Sequence, residues 1–388
     1  MRLLKYILFS SFFLLLLSEQ FFFFFPKTLV RDLKGTFVKF EKPELTADNW
    51  VKGKYQEQFL KYHEQNLALH PLLIRLRNQI GYSFYKEMNT EGIVEGKENT
   101  LYDHGYITTY LGNDFVGDSV VNKKVEMLGY VQAELKKRNI DLVFVMAPSK
   151  PAVLPEYIPK RYDLTKKTKS NYDAFTSAFE KHNINHLNIT KFFLKRKGIE
   201  RYPLFTKCGI HWSGYGATLA ADTTFKYIEN LRQIDLPDYY DAGGEKTPVP
   251  RDTDNDLGEL SNLLYDIPSA EMYYPKMVFK NDASKTKPNL LIIGDSFTWT
   301  WIGFYGFIPN LFSDKTAFWY YNHEIGWSKS LNNGTLTKDL DLKKEVLSRD
   351  VIMIINTEPS LKNAGMFFIE QMYELLHKEA EKTQPSKL

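Results

Sequence analysis

The stretch LLIIGDSFT, residues 290–298, combines an apolar run with a tight turn that carries a serine. A run that is apolar on both faces is typical of a buried parallel strand, and open α/β sheets bind ligands at the carboxyl ends of such strands. Gly294 allows a close turn, and backbone N–H groups at the start of the following helix could stabilise an oxyanion. By itself, Gly294-Asp295-Ser296 fits a strand-to-helix turn with a helix-capping serine better than it fits a nucleophile.

Two further apolar runs, Leu142–Met146 and Val351–Ile355, predict buried strands of the same kind. Helical segments lie between the strands, and the segment 214–232 has a clear apolar side. Strands that alternate with helices predict an α/β fold with a doubly wound, mostly parallel sheet. The stretch 234–288, which contains the acidic run 252–256, is loop-rich and is interpreted as an insertion.

The composition excludes several classes of protein. The 388 residues carry 50 basic and 47 acidic side chains, a formal net charge of +3, so no strong field favours nucleic acid. Cys208 is the single cysteine, which excludes an intramolecular disulfide and a thiolate-rich metal site. The sequence has no metal-ligand spacing and no glycine-rich phosphate loop, so neither a metal nor a cofactor is expected.

The N-terminus predicts a membrane location. Arg2 and Lys5 precede a largely apolar stretch, Tyr6–Phe25, which as a helix would be about 30 Å long and could cross a bilayer. The positive charges favour a cytoplasmic N-terminus. We therefore predict an uncleaved signal anchor, a transmembrane helix over residues 1–26 in the inner membrane, with the rest of the chain in the periplasm. A cleaved signal peptide is the alternative, although no small-residue cleavage site follows.

The chain beyond the anchor divides into three parts. Residues 27–90 predict an extended lead followed by helical segments, which Pro71 interrupts. Residues 91–380 form the main domain, in which 234–288 is the insertion. Residues 381–388 form a polar tail.

A second motif, KCGIHWSGYGA at 207–217, places a histidine directly before a helix. A serine nucleophile needs a base that works near neutral pH, and histidine is the usual one. His211 is therefore the candidate base for Ser296. The alternative is a buried histidine that satisfies its own loop.

The two motifs in this order resemble those of a known family. His211-Trp212-Ser213 with Gly216-Ala217, followed later by Gly294-Asp295-Ser296, is similar to the SGNH-hydrolase-like domain of the alginate O-acetyltransferase (AlgX/AlgJ-like) family. Ordinary SGNH hydrolases have the serine block first, so the order resembles a circular permutation. Ala147–Lys150 is similar to the family's Pro-x-Lys element, and the likeness covers about 50–374. The whole pattern looks closest to uncharacterised members from the Bacteroidetes.

The resemblance implies a periplasmic protein that acetylates an exopolysaccharide. Ser296 would attack the acyl donor, and His211 would take up its proton. The donor would arrive through a multipass membrane acyltransferase of the MBOAT class, which would make that protein a partner alongside the polysaccharide substrate. An acetylesterase would use the same residues with water as the acceptor.

One position departs from the family pattern. The family motif is Asp-Thr-His-Trp, whereas this chain has Gly209-Ile210-His211-Trp212, so the aspartate that would orient the histidine is missing. Three alternatives follow: another acid, with Glu358 as the candidate, orients His211; a backbone carbonyl does so; or the site is degenerate and only binds. A degenerate site would make the chain a non-catalytic carbohydrate-binding or scaffolding subunit of an envelope complex.

Other residues are candidates for supporting roles. Gly294 and Asn322 are candidate oxyanion donors, although Asn322 also fits a plain turn. Asp295 is interpreted as a turn-stabilising side chain, and Lys150 as an anchor of its strand end or a substrate contact. Aromatic side chains either pack in the core or offer flat surfaces to sugar rings, and the candidate platforms are Trp212, Trp299, Trp301 and Tyr321.

Overall fold

The computed structural model describes residues 2–24, 31–35 and 38–383. The described chain divides into two compact units. The first comprises Met1–Ile93 with Gly258–Ile267, and the second comprises Val94–Leu257 with Pro268–Leu388. Each unit is considered by itself below.

Buried polar side chains hold the first unit together. The guanidinium of Arg75 donates to the carbonyl oxygens of Asp32 at 2.6 Å and Leu263 at 2.9 Å. The amide of Asn78 donates to the carbonyl oxygen of Ser261 at 3.0 Å. These bonds tie a short helix, which has Pro71 in its first turn, to the segment 258–267. Such bonds satisfy backbone carbonyls that would otherwise be costly to bury.

The predicted membrane anchor was not found in the described ranges. The first helix runs from Arg2 to Phe24. Within residues 2–24, 31–35 and 38–383, no helix is both long enough and apolar enough to cross a membrane. Phe25 and Pro26, which end the predicted anchor, lie outside the described residues, as do 27–30 and 36–37 of the predicted lead and 384–388 of the predicted tail.

The helices are numbered in chain order. They are α1 Arg2–Phe24, α2 Ala47–Val51, α3 Lys54–Asn66, α4 His70–Ile80, α5 His104–Tyr110, α6 Asp118–Lys137, α7 Lys150–Val153, α8 Asn171–Lys181, α9 Ile189–Arg196, α10 Gly214–Arg232, α11 Asp256–Leu260, α12 Phe307–Leu311, α13 Leu342–Leu347 and α14 Phe368–Thr383.

The strands are numbered in the same way. They are β1 Ile93–Glu95, β2 Leu101–Asp103, β3 Asp141–Met146, β4 His186–Asn188, β5 Tyr239–Asp241, β6 Glu245–Thr247, β7 Met272–Tyr274, β8 Met277–Phe279, β9 Leu290–Gly294, β10 Ala317–Tyr320, β11 Glu324–Ser328 and β12 Val351–Asn356.

A six-stranded sheet with the order β11-β10-β9-β12-β3-β4 forms the centre of the second unit. All neighbouring strands are parallel except β10 and β11, which are antiparallel. The predicted α/β class with a mostly parallel sheet is therefore confirmed. The strands β3, β9 and β12 correspond to the three apolar runs of the sequence, whereas β4, β10 and β11 are short or carry mixed side chains and were not predicted.

Helices cover both faces of this sheet. Alternate residues of a strand point to opposite faces, so Leu142 and Phe144 pack with helices α6, α8 and α14. Val143 and Val145 pack on the other face with α10 and α12. Since both faces are buried, the central strands must be apolar throughout, which explains their uninterrupted runs.

The predicted insertion contains more structure than its loop-rich sequence indicates. It contains two small antiparallel sheets, one formed by β5 and β8 and the other by β6 and β7. Helix α11 begins in its acidic run. Each of these strands has only three residues, which is too short for a period to be recognised in the sequence.

Candidate active site

Ser296 lies directly beyond the carboxyl end of β9, a central strand, at the start of a short 3₁₀ turn over Ser296–Thr298. The preceding Asp295 is buried and stabilises this turn. Its carboxylate accepts hydrogen bonds from the backbone N–H of Phe297 at 3.2 Å and from the N–H and hydroxyl of Thr357, both at 2.8 Å. Burial raises the pKa of Asp295. The turn is thus fixed to the segment after β12, in agreement with the structural role expected of Asp295.

His211 faces this serine. The following residue, Trp212, is buried and forms an antiparallel bridge with Phe205, and Ser213 caps α10 by accepting from the N–H of Gly216 at 2.9 Å. These contacts leave the imidazole with little freedom. Its Nε2 atom lies 2.8 Å from the hydroxyl oxygen of Ser296. The structure therefore brings the two motifs of the sequence into direct contact.

Asp256 is the acid behind the histidine. Its Oδ2 atom lies 2.6 Å from Nδ1 of His211, and its Oδ1 atom accepts from the N–H groups of Ile210 and Leu257, both at 2.7 Å. A carboxylate can only accept, so Nδ1 carries the proton and Nε2 can accept from the Ser296 hydroxyl. The three side chains form one continuous hydrogen-bonded chain.

The candidate acid Glu358 is in a different place. It follows β12 and is buried, and its carboxyl group accepts from the hydroxyl of Ser149 at 2.8 Å. Burial raises the pKa of Glu358 to about 7. The expectation that Glu358 orients His211 was wrong, because its side chain points to the segment after β3. The acidic run 252–256 was the signal in the sequence that could have indicated the correct acid.

The structure also accounts for the glycine at position 209. A Cβ atom on Gly209 would lie 2.7 Å from the Thr206 hydroxyl, 2.8 Å from the Thr253 carbonyl oxygen and 3.1 Å from the Asp254 carbonyl carbon. The loop that carries Asp256 occupies the space that a side chain at position 209 would need. An aspartate at 209 and this loop are mutually exclusive, and Asp256 supplies the carboxylate instead.

Asp254 holds the same loop in place. Its buried carboxylate accepts from the N–H of Gly214 at 3.2 Å, at the start of α10, and from the hydroxyl of Tyr274 at 2.7 Å. Its carbonyl oxygen accepts from the hydroxyl of Thr206 at 2.6 Å. Burial raises the pKa of Asp254 to about 7. The loop is therefore bonded both to α10 and to the segment that leads to His211.

Of the two candidate oxyanion donors, Asn322 uses its amide elsewhere, whereas the donor role of Gly294 stays a prediction. The amide of Asn322 donates to the carbonyl oxygen of Met366 and to the side chain of Gln371, both at 3.0 Å. Both of its N–H groups are occupied, so the prediction for Asn322 was wrong. Gly294 accepts from the N–H of Tyr321 at 2.8 Å. A Cβ at Gly294 would lie 2.3 Å from Ile355, so this glycine is required for close strand packing.

Two of the four candidate sugar platforms are core residues. Trp212 and Trp301 are fully buried and stack at 5.0 Å between ring centroids, and Trp301 donates to the carbonyl oxygen of Ala217 at 2.9 Å. Trp299 is half-buried and packs edge-on against Phe318 at 5.1 Å. The expectation that Trp212 and Trp301 contact substrate was wrong, because their rings fill the space between α10 and the sheet.

Tyr321 is the solvent-exposed residue among these candidates. Its side chain is 45% exposed. Partial burial, followed by the negative charge of Asp295, raises the pKa of the Tyr321 phenol. The N–H of Tyr321 donates to the carbonyl oxygen of Gly294 at 2.8 Å, so the residue lies close to the turn that carries Ser296.

Lys150 has a structural role. Its ammonium group is buried and donates to the carbonyl oxygens of Leu101 at 2.9 Å and Lys207 at 3.1 Å. Burial lowers the pKa of Lys150 to about 8. Lys150 thus connects β2 to the start of the histidine segment. This agrees with the predicted structural role at a strand end and not with the predicted substrate contact. Among the described residues, no group of three or more His, Cys, Asp or Glu side chains could hold a metal ion.

Comparisons with known proteins address the family. Residues 93–316, more than half of the chain, match the family described as "SGNH hydrolase-like domain, acetyltransferase AlgX". A search of curated proteins found no match.

Three similar solved structures have TM-scores below 0.5. The O-acetyltransferase domain of Pseudomonas putida AlgJ has 15% identity and a TM-score of 0.49, covering 73% of this chain and 99% of that one. Pseudomonas aeruginosa AlgX has 12% identity and a TM-score of 0.46, covering 75% of this chain and 71% of that one. Bacillus cereus PatB1 has 12% identity and a TM-score of 0.41, covering 64% of this chain and 93% of that one. On the family match, this chain belongs to the AlgX acetyltransferase family, with an SGNH hydrolase-like domain.

Proposed function

We propose that this protein is a polysaccharide O-acetyltransferase that works through an acyl-serine intermediate on Ser296. The observation that carries the proposal is the continuous chain of hydrogen bonds Asp256–His211–Ser296, at 2.6 and 2.8 Å. This geometry is that of a nucleophile with a base and an orienting acid. The family, whose description names an acetyltransferase, supports transfer of an acetyl group.

In the first half-reaction, Ser296 attacks the carbonyl carbon of the acyl donor. Nε2 of His211 takes the hydroxyl proton as the new C–O bond forms. Asp256 stabilises the resulting imidazolium and keeps the ring in the required tautomer. The tetrahedral intermediate then expels the donor's leaving group, which receives the proton from His211, and the acetyl group remains on Ser296.

In the second half-reaction, a sugar hydroxyl of the acceptor gives its proton to His211 and attacks the acetyl carbonyl. Collapse of the intermediate releases the acetylated sugar and returns the proton to the Ser296 oxygen. An acetylesterase would follow the same steps with water as the acceptor. Transferase and esterase therefore differ only in which hydroxyl reaches the acyl-enzyme.

Two donors are proposed for the oxyanion in place of Asn322. The N–H of Ser296 begins a 3₁₀ turn, and the first N–H groups of a helix have no partner within it. Tyr321 is bonded through its backbone N–H to Gly294 in the same turn, and its phenol, with a raised pKa, stays protonated at neutral pH. Donors of this kind stabilise the negative charge that develops on the carbonyl oxygen.

The non-catalytic alternative loses its main support. It depended on the missing aspartate at Gly209, and Asp256 supplies a carboxylate to the same histidine. We therefore favour catalysis over a purely binding or scaffolding subunit.

The location and the partner are part of the proposal. The basic residues and the apolar stretch of residues 1–26 support attachment to the inner membrane, with the site in the periplasm and the donor supplied by an MBOAT-class acyltransferase. Cell fractionation tests the location: the full chain should remain with the membrane pellet after an alkaline wash, and a chain without residues 1–26 should not. Full release of the intact chain would contradict the anchor.

The catalytic proposal is tested with purified protein and 4-nitrophenyl acetate. Ser296→Ala should lower kcat by about 10⁶-fold, the loss found when a catalytic serine is removed, whereas Ser330→Ala, at an exposed serine, should have no effect. When the reaction is quenched rapidly during turnover, the peptide that contains Ser296 should carry an acetyl group. Added oligosaccharide should divert acetyl from acetate to sugar if the protein is a transferase. Unchanged turnover in Ser296→Ala would refute the proposal.

A further inference from the structure

Two segments of the second unit contain bulky residues with left-handed backbone angles. Tyr321 and Asn322 have φ values of 50° and 54°, and Met366 and Phe367 have φ values of 53° and 66°. Residues other than glycine rarely adopt this conformation, because the Cβ atom then crowds the backbone. Such strain persists only where the surrounding structure enforces it, and it is concentrated at functional sites.

The two segments are bonded to each other. The amide of Asn322 donates to the carbonyl oxygen of Met366 at 3.0 Å and to Gln371, in the first turn of α14, at 3.0 Å. Phe367 is the next residue after Met366, and Tyr321 precedes Asn322. The side chain of Asn322 therefore brings the two aromatic residues to neighbouring positions.

Both segments are also attached to the carboxyl ends of central strands. The N–H of Tyr321 donates to the carbonyl oxygen of Gly294 at 2.8 Å, at the end of β9. The N–H of Gly365 donates to the side chain of Asn356 at 2.9 Å, at the end of β12. These two strands are neighbours, and Ser296 follows β9. The pair of segments thus lies at the edge of the sheet that carries the candidate nucleophile.

The rings on these segments face solvent. Phe367 is 61% exposed and Tyr321 is 45% exposed, whereas Met366, between Phe367 and Gly365, is only 5% exposed. The backbone turn buries the methionine and turns the phenylalanine outward. A glycine at 367 would make the turn without strain but would provide no ring. An exposed apolar ring on strained backbone, at the edge of the sheet that carries Ser296, favours a ligand contact.

We propose that Phe367 and Tyr321 form an aromatic subsite that binds one pyranose ring of the acceptor polysaccharide. The axial C–H groups of a pyranose make an apolar face that packs on an aromatic ring, and its hydroxyl groups can bond to the phenol of Tyr321. Because the N–H of Tyr321 bonds to the carbonyl oxygen of Gly294 at 2.8 Å, two residues before Ser296, a sugar held there can present a hydroxyl group to the acyl-enzyme. This inference rests on the proposed function and identifies where that function's acceptor binds.

The test measures sugar binding without turnover. In the Ser296→Ala background, calorimetry compares cellopentaose, mannopentaose and pentamannuronate. At least one should bind, and Phe367→Ala should weaken that binding roughly tenfold, since loss of a ring contact worth about 1.4 kcal/mol has that effect. Alanine keeps the same backbone strain, so the change isolates the ring. Phe367→Trp should restore binding, and Tyr240→Ala, which removes a 49% exposed ring elsewhere, should not weaken it.

Two results would overturn the inference. One is that none of the three pentasaccharides binds, and the other is that Phe367→Ala binds as tightly as its parent. Asn322→Gly tests the scaffold, because glycine accepts the positive φ but removes the bonds to Met366 and Gln371. It should weaken binding to a similar degree, and unchanged affinity would contradict the role of this side chain.

Failure of the subsite can be separated from failure of the proposed function. With Ser296 present, hydrolysis of 4-nitrophenyl acetate reports on the acyl-serine chemistry alone. Phe367→Ala should hydrolyse this ester at the parent rate while transferring less acetyl to the bound pentasaccharide. If the parent does not hydrolyse the ester, the proposed function fails; if hydrolysis is normal and transfer does not change in Phe367→Ala, only the subsite fails.

Discussion

The turn that follows β12 and the loop over residues 252–256 each present an acidic side chain, and the two acids differ in surroundings and in partner. Glu358, after β12, is 3% exposed and bonds to the hydroxyl of Ser149. Asp256, in the loop, has a 23% exposed side chain and bonds to His211. Glu358 follows a central strand, but its side chain is directed away from His211. Asp256 bonds to His211 because the loop over 252–256 extends from the insertion to the histidine.

The largest effect expected from this comparison is on turnover. Asp256→Asn should lower kcat by about 10⁴-fold, because an amide can donate to Nδ1 and favours the wrong tautomer of His211. Glu358→Gln is the matched control and should change kcat by less than about threefold, because Glu358 does not contact the imidazole. Steady-state hydrolysis of 4-nitrophenyl acetate measures both.

If Glu358→Gln lost activity to the same degree as Asp256→Asn while its thermal stability stayed normal, the buried acid would have a catalytic role that its contacts do not indicate.

The second effect concerns stability and its pH dependence. The pKa of Glu358 is raised from 4.5 to about 7 by burial. The folded state therefore holds this proton more tightly than the unfolded state. The contribution of the protonated Glu358 to the free energy of unfolding is complete below about pH 4.5 and is lost as the pH rises to about 7. The loss is of the order of 3 kcal/mol.

Glu358→Gln mimics the protonated acid and should remove this contribution. Urea unfolding at pH 5 and pH 8 should give a smaller decrease in the free energy of unfolding for the variant than for the parent. Asp254, whose pKa is raised to about 7 by burial, titrates in the same window in both proteins, so their difference isolates Glu358. Equal decreases in both would contradict the assignment.

The smallest effect is expected at Gly209. Gly209→Ala places a methyl group 2.8 Å from the carbonyl oxygen of Thr253, and overpacking of this kind costs roughly 1–3 kcal/mol. The loop should shift away from His211, and kcat should fall by roughly tenfold.

Gly303→Ala is the matched control, since a Cβ there meets nothing within 4 Å. Thermal unfolding and ester hydrolysis report on stability and loop position separately. A Gly209→Ala protein with the parent's activity and stability would show that the loop does not need this space.

Local patterns in the sequence predicted a large part of the site. The serine follows a buried strand and the histidine precedes a helix, and both features depend on residues that are close together in the chain. Their contact at 2.8 Å joins positions 85 residues apart. It could be anticipated only because both motifs occur together in one family. The membrane anchor and its acyltransferase partner remain predictions.

The errors at Asn322, Trp212 and Trp301 share one cause. Each assignment used the chemical type of a side chain and its distance along the chain from Ser296. The tertiary structure directs the Asn322 amide to Met366 and places both tryptophans under α10, away from solvent. The type of a residue gives its chemistry, but its direction depends on packing partners that the local sequence does not name.

Local sequence patterns were enough to predict the α/β class, the buried strand that ends at Gly294, and the two side chains Ser296 and His211. These depend on hydrophobic period and turn chemistry, which act between near neighbours in the chain. By contrast, long-range packing determines that Asp256 completes the chain of hydrogen bonds and that Phe367 faces solvent. Asp256 lies 45 residues from His211, so its position depends on how Asp254, Tyr274 and Gly209 fix one loop. No spacing rule encodes such an arrangement.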